Sequence, residues 1–142
     1  MTALAAEQLI AQQLHNLQQL EELLSVEKEV LQKQSPQALT AVTEQKEALL
    51  KTIQQLDEQN AQNVVLKNEV KSGIHQHKIA EIEAILLRCK DKNQVNGQII
   101  QQSSLAAERM KNSLLENHNR SSMTYNSKGK KSGGLSSLGI KA

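Results

Sequence analysis

Between residues 79 and 114 a single face recurs at every third or fourth position: Ile79, Ile82, Leu86, Cys89, Asn93, Asn96, Ile100, Ser103, Ala107, Met110 and Leu114. Such spacing places side chains one above another on a helix and predicts a long helix, from about residue 74 to 116, packed against other helices. At ~1.5 Å per residue it would reach about 60 Å. The seam changes character at its centre. Asn93 and Asn96 stand where Leu or Ile is expected, and Gly97 follows them. A polar pair and a glycine in an apolar seam lower helix and packing stability. This is therefore where function is sought, and Gly97 is a candidate point for a bend or interruption.

The same pattern predicts two earlier helices. Over residues 4–33, Leu9, Ile10, Leu14, Leu17, Leu20, Leu24 and Leu31 form one face, widened by Leu23 and Val30. Gln12, Gln13, Gln18, Gln19, Glu22 and Glu29 are expected outside it. Ser35-Pro36 ends this helix and starts the next, because the residue before Pro avoids the α region and Ser and Pro suit the N-cap and N1 positions. So short a connection predicts antiparallel neighbours. The second helix is expected over residues 36–71, with a seam of Leu39, Val42, Lys46, Leu49, Ile53, Leu56, Asn60 and Val64. Periodicity fades after Asn60, and fraying or a loop is expected between Asn63 and Ser72. Ser72-Gly73 is the preferred break.

From Asn117 the chain becomes rich in Ser, Asn, Gly and Lys, with five basic residues and no acidic one. Such a segment buries too little apolar area to offset its ordering entropy and is expected to be a flexible tail. It nevertheless carries Met123, Tyr125, Leu135, Leu138 and Ile140. The predicted organisation is a helical bundle over 1–116 and a basic tail over 117–142. The fold class is all-α: an elongated antiparallel helical hairpin or coiled coil, a long third helix and a disordered C-terminal tail.

Composition supports this reading. The 142 residues include one Tyr, no Phe and no Trp, where a globular enzyme core uses aromatic rings to fill volume. Charge is unevenly placed, with a net of −5 over residues 1–70 and +7 over 71–142. Opposite charges on antiparallel helices would fix their own register. A nucleic-acid surface is the weaker reading, since neither an Arg-rich cluster nor an aromatic platform accompanies the charge. Cys89 is alone and lies on the seam, as a small buried hydrophobe would. The start of the chain lacks a basic segment followed by an apolar run, and no apolar stretch approaches the ~20 residues of a membrane span. A cytosolic protein without stable membrane insertion is expected.

Motifs for chemistry are weak. His75 and His77 are two apart, whereas two ligands on one helix face stand four apart. The run from Lys128 to Gly134 has the wrong order for a phosphate loop, and no strand precedes it. No arrangement of Ser, His and acidic residues supports catalysis, and no cofactor or metal is expected. Asn93-Gln94-Val95-Asn96-Gly97 remains, either as a register lock or as a site where a partner approaches closely. Substituting both asparagines with Leu is expected to raise thermal stability.

The order of these features resembles the FlgN family of flagellar type III export chaperones, over nearly the whole chain. The residues that carry the resemblance are Glu44-Gln45-Lys46-Glu47-Ala48-Leu49-Leu50 with Ile53 and Leu56. Next come Asn93-Gln94-Val95-Asn96-Gly97 with Ile99 and Ile100, and then Tyr125-Asn126-Ser127-Lys128-Gly129. The resemblance implies a chaperone that uses no ATP itself, caps the amphipathic C-terminal segments of the hook-filament junction proteins FlgK and FlgL, and brings them to the export apparatus. It implicates Asn93, Asn96, Gly97, Ile100, Ala107, Met110, Leu114, Met123, Tyr125 and Gly129 in partner binding. Two other classes compete with it: a structural coiled coil that only oligomerises, and a basic-tail nucleic-acid binder. The same seam serves an intramolecular hairpin or self-association equally well.

Overall fold

The computed structural model describes residues 5–111 and 134–140, with the backbone alone for 103–111. Among these residues the chain forms α1 (Ala6–Lys33), α2 (Pro36–Ala61), α3 (Val64–Ser72) and α4 (Gln76–Lys111), followed by a 3-10 turn at Ser136–Leu138. The protein is all-α. Leu135 and Ile140 pair through one isolated antiparallel bridge around the turn.

Local chemistry sets the helix ends. Gln8 reaches back from the first turn of α1 to accept from the Ala5 N–H at 3.2 Å, satisfying a donor that the helix leaves orphaned. At the other end Gln34 adopts the left-handed conformation, φ 55°, and its N–H donates to the Leu31 carbonyl. Ser35 Oγ then accepts from the Ala38 N–H at 3.4 Å, with Pro36 in the first helical turn of α2. The predicted 36–71 helix is two helices. It breaks at Gln62, where Asn63 Oδ1 accepts from the Leu66 N–H at 3.0 Å and starts α3. An Asn side chain that can cap competes with the helix backbone for the same donors. Gly73, at φ 85°, closes α3, as a left-handed C-terminal glycine does. α4 is helical through Gly97, and the predicted stretch 112–116 lies outside the described residues.

α1 is the shared partner of the bundle, packing along both α2 and α4. Its links to α2, Gln13 with Ile53 and Glu27 with Lys46, run in opposite senses along the two chains. Its links to α4, Leu17 with Cys89 and Leu24 with Asn96, run in the same sense. α1 is therefore antiparallel to α2 and parallel to α4. The expected charge attraction operates across the parallel pair: Glu21 accepts from Arg88 at 2.8 and 3.2 Å and pairs with Lys92 at 3.3 Å.

The main core runs over Ala6, Ile10, Leu14, Leu17, Leu20 and Leu24 of α1, with Ile53, Leu66, Ile82, Ile85 and Cys89. Leu135, Leu138 and Ile140 belong to the same cluster and are buried. The C-terminal segment 134–140 thus adds to the core, where the sequence predicts a tail outside it; three apolar side chains in six residues suffice once α2 and α3 offer a surface. Residues 112–133 lie outside the described part. Val64, expected on the seam, is instead exposed, because the break at Gln62 removes it from the register of α2.

Candidate functional site

The polar members of the three seams meet. Asn93 and Asn96 come from α4, Lys46 from α2, and Glu27 from α1. Glu27, Lys46 and Asn96 are buried at 1%, 3% and 1% exposure. Lys46 Nζ donates to Glu27 Oε1 and Oε2 at 3.2 and 3.4 Å and to Asn93 Oδ1 at 2.5 Å. Asn96 Nδ2 donates to the Leu24 carbonyl at 2.9 Å and to Glu27 Oε1 at 2.8 Å. These two acceptors fix the amide orientation, and Asn96 Oδ1 is buried without a hydrogen-bond partner among the described residues. Burial pushes the Lys46 ammonium below its ordinary pKa, while the attraction of Glu27 and its hydrogen bond pull it back up.

This layer is expensive to hold dry. Two ions and the Asn96 amide are taken out of water, with Asn93 half-buried beside them, and their mutual attraction only partly offsets the desolvation. It joins all three long helices, so it fixes register, the well-attested use of a polar group on an apolar seam. The two hydrogen bonds donated by Asn96 argue against the stabilisation expected from Leu at that position, since its loss strips donors from a buried carboxylate and a buried carbonyl.

Sequence reasoning placed Lys46 on the seam of α2 but missed Glu27, which falls one turn beyond Leu24 and before Leu31 on the α1 face. The three-and-four spacing from Leu24 was the available signal. Gln13, expected outside the face, is buried and donates to the Ile53 carbonyl at 3.0 Å. Asp57 was also missed. It is buried on α2 and accepts from the Ser137 N–H at 2.9 Å, from Ser136 Oγ at 3.3 Å and from Ser137 Oγ.

Of the predicted partner-binding residues, Asn93 and Asn96 stand together in this layer. Gly97 and Ile100 follow, half-buried, in the same helix. Ala107 and Met110 lie in the helical backbone of α4, with nothing described of their side chains. Leu114, Met123, Tyr125 and Gly129 lie outside the described residues. Cys89 is buried near the Leu17 carbonyl, and its thiol is pushed up to about 11 by burial. No group of three or more His, Cys, Asp or Glu able to hold a metal ion occurs among the described residues. No described helix is long and apolar enough to cross a membrane.

A family model described as FlgN protein matches residues 1–133. The chain belongs to the FlgN family. FlgN proteins are flagellar export chaperones, so a flagellar protein client is the partner class. No curated protein and no solved structure matches the chain. The four-residue layer lies within the FlgN match, as does the Tyr125 to Gly129 stretch.

Proposed function

We propose that this FlgN-family protein is a cytosolic export chaperone for hook-filament junction proteins of the FlgK and FlgL type. It binds their C-terminal amphipathic segments, prevents premature self-association and delivers them to the flagellar type III export apparatus. The observation that carries this reading is the polar Glu27–Lys46–Asn93–Asn96 layer, buried at Glu27, Lys46 and Asn96. A seam that is apolar at one end and charged at the other is a joint that an incoming amphipathic helix is able to compete for, in a helix-in-groove mode. Asn96 faces α1 in the free protein, so engagement of this part of α4 requires α1 to give way there.

The residues proposed to contact the client are Asn93, Asn96, Gly97 and Ile100 at this joint, then Ala107, Met110 and Leu114 along the same seam, and Met123, Tyr125 and Gly129 beyond it. Tyr is a frequent interface anchor, large in area and low in ordering cost. Isothermal titration calorimetry against a FlgK-type C-terminal segment tests the reading, using the full chain, Tyr125→Ala and a chain lacking residues 117–142. Truncation is expected to weaken binding most and Tyr125→Ala to reproduce part of that loss. Equal affinities for all three would remove the region beyond 116 from the interface. Absence of binding by the full chain would sink the client assignment.

A further inference from the structure

The C-terminal segment 134–140 is held by a seat prepared for it. Leu135, Leu138 and Ile140 are 4%, 4% and 7% exposed, and the turn they flank packs on α2 and α3. Asp57 supplies the polar anchor. Its carboxylate accepts from the Ser137 backbone N–H and from both the Ser136 and Ser137 hydroxyls. The N–H is one of the donors that the start of a 3-10 turn leaves orphaned. The turn closes on itself through Leu138 N–H to the Leu135 carbonyl and Ile140 N–H to the same carbonyl. A buried carboxylate is costly unless something donates to it, and the segment brings three donors.

The seat lies far from the end of α4. Gln13 links Ile53 to α1, and the parallel α1–α4 pairing sets Asp57 about level with Ile82. From there α4 runs on to Lys111, roughly 29 residues and about 44 Å at ~1.5 Å per residue. The chain between Lys111 and Gly134 has roughly 22 residues, whose relaxed coil span is about 26 Å and whose full extension is about 75 Å. The number of residues is therefore sufficient for the segment to reach the seat within one chain.

We propose that residues 134–140 are a displaceable latch, anchored by Asp57 on the α2–α3 shelf, that ties the C-terminal region back along the bundle and competes with its engagement of client. The competition rests on the function proposed above; the latch itself does not. A docked latch spends the connector on the return path and withholds it from the client. Release frees the connector to wrap, and a client then pays only the cost of opening the latch.

Hydrogen exchange with mass spectrometry on the full chain tests the latch, with Asp57→Ala acting from the seat and Leu138→Glu acting from the segment. Both variants are expected to speed exchange in 134–140 by roughly tenfold or more while α1 and α4 keep wild-type protection. Unchanged exchange in 134–140, or loosening of α1 and α4 alongside it, would overturn the latch. Protection of 134–140 that falls on about a hundredfold dilution would seat a second copy instead and overturn the intrachain form. Titration of the same proteins with a FlgK-type C-terminal segment tests the competition, with both variants expected to bind roughly fivefold tighter than wild type. Equal affinity in all three overturns the competition alone. No binding by any of them defeats the client assignment and leaves the exchange result standing.

Discussion

The two ends of the bundle share α1, α2 and α4 and are held by different means. Toward the start of α1, Ile10, Leu14, Leu17, Ile82, Ile85, Leu66 and the C-terminal apolar trio form one continuous core. Toward the α1–α2 turn, buried Leu31 and Val42 stand apart from that core, and the Glu27–Lys46–Asn93–Asn96 layer lies between. The first end is stabilised mainly by non-directional apolar burial, which tolerates small shifts, with Gln13 and Asp57 as hydrogen-bonded polar exceptions that carry no buried ion pair. The second depends on geometry: a displacement that separates Lys46 from Glu27 leaves charge in a dry interior. The difference teaches where the bundle opens. The polar end is the more easily solvated, because water entering it replaces hydrogen bonds already present, whereas water entering the apolar end gains nothing.

The largest test of this contrast removes the cation. Lys46→Met should destabilise the protein by roughly 3–5 kcal/mol in urea unfolding followed by circular dichroism, since the Glu27 charge then loses its ammonium partner in a buried site. Adding Glu27→Leu should recover most of that loss. A double variant no more stable than Lys46→Met would show that the charge was not the source of the cost.

Asn96→Leu comes next, with an expected loss of about 1–3 kcal/mol, the cost of leaving the Leu24 carbonyl and Glu27 short of a donor. Thermal unfolding measures it. Stabilisation instead would mean that relief of the unpartnered Asn96 Oδ1 outweighs the two hydrogen bonds, and the layer would then be a purely inherited burden on stability.

The smallest effect lies on the surface between the two ends. Arg88 donates to Glu21 and holds its carboxyl below the usual value, helped by Lys92 and opposed by desolvation. The folded value is lowered, so between it and the ordinary 4.5 the unfolded chain binds more protons. The contribution of this pair is therefore present above about pH 4.5 and lost as pH falls through the lower folded value. Arg88 is half exposed, so solvent screens the pair and Arg88→Ala should lower stability the least of these variants at pH 7. The difference from wild type should vanish toward pH 2. A difference that persists undiminished at pH 2 would assign the loss to packing of the Arg88 stem.

The periodic pattern determined the all-α class, the α1 face, the Ser35-Pro36 turn and the singularity at Asn93 and Asn96, because each is written in residues three or four apart or in one dipeptide. Cap chemistry was local too, yet Asn63 was passed over in favour of Gly73. Both are legible helix-end residues, and only the packing of Leu66 on the far side of the break selects the first as well as the second. The sequence could not pair the seams. That Glu27 faces Lys46 and Asn96 depends on α1 lying between an antiparallel and a parallel neighbour, and heptad spacing is the same for either direction. Nor could it foresee the seat of residues 134–140. A short Leu, Ser, Gly and Ile segment has too little apolar area to order by itself, and it becomes structured only where tertiary packing brings Asp57 and the α2–α3 shelf within reach of its donors and side chains.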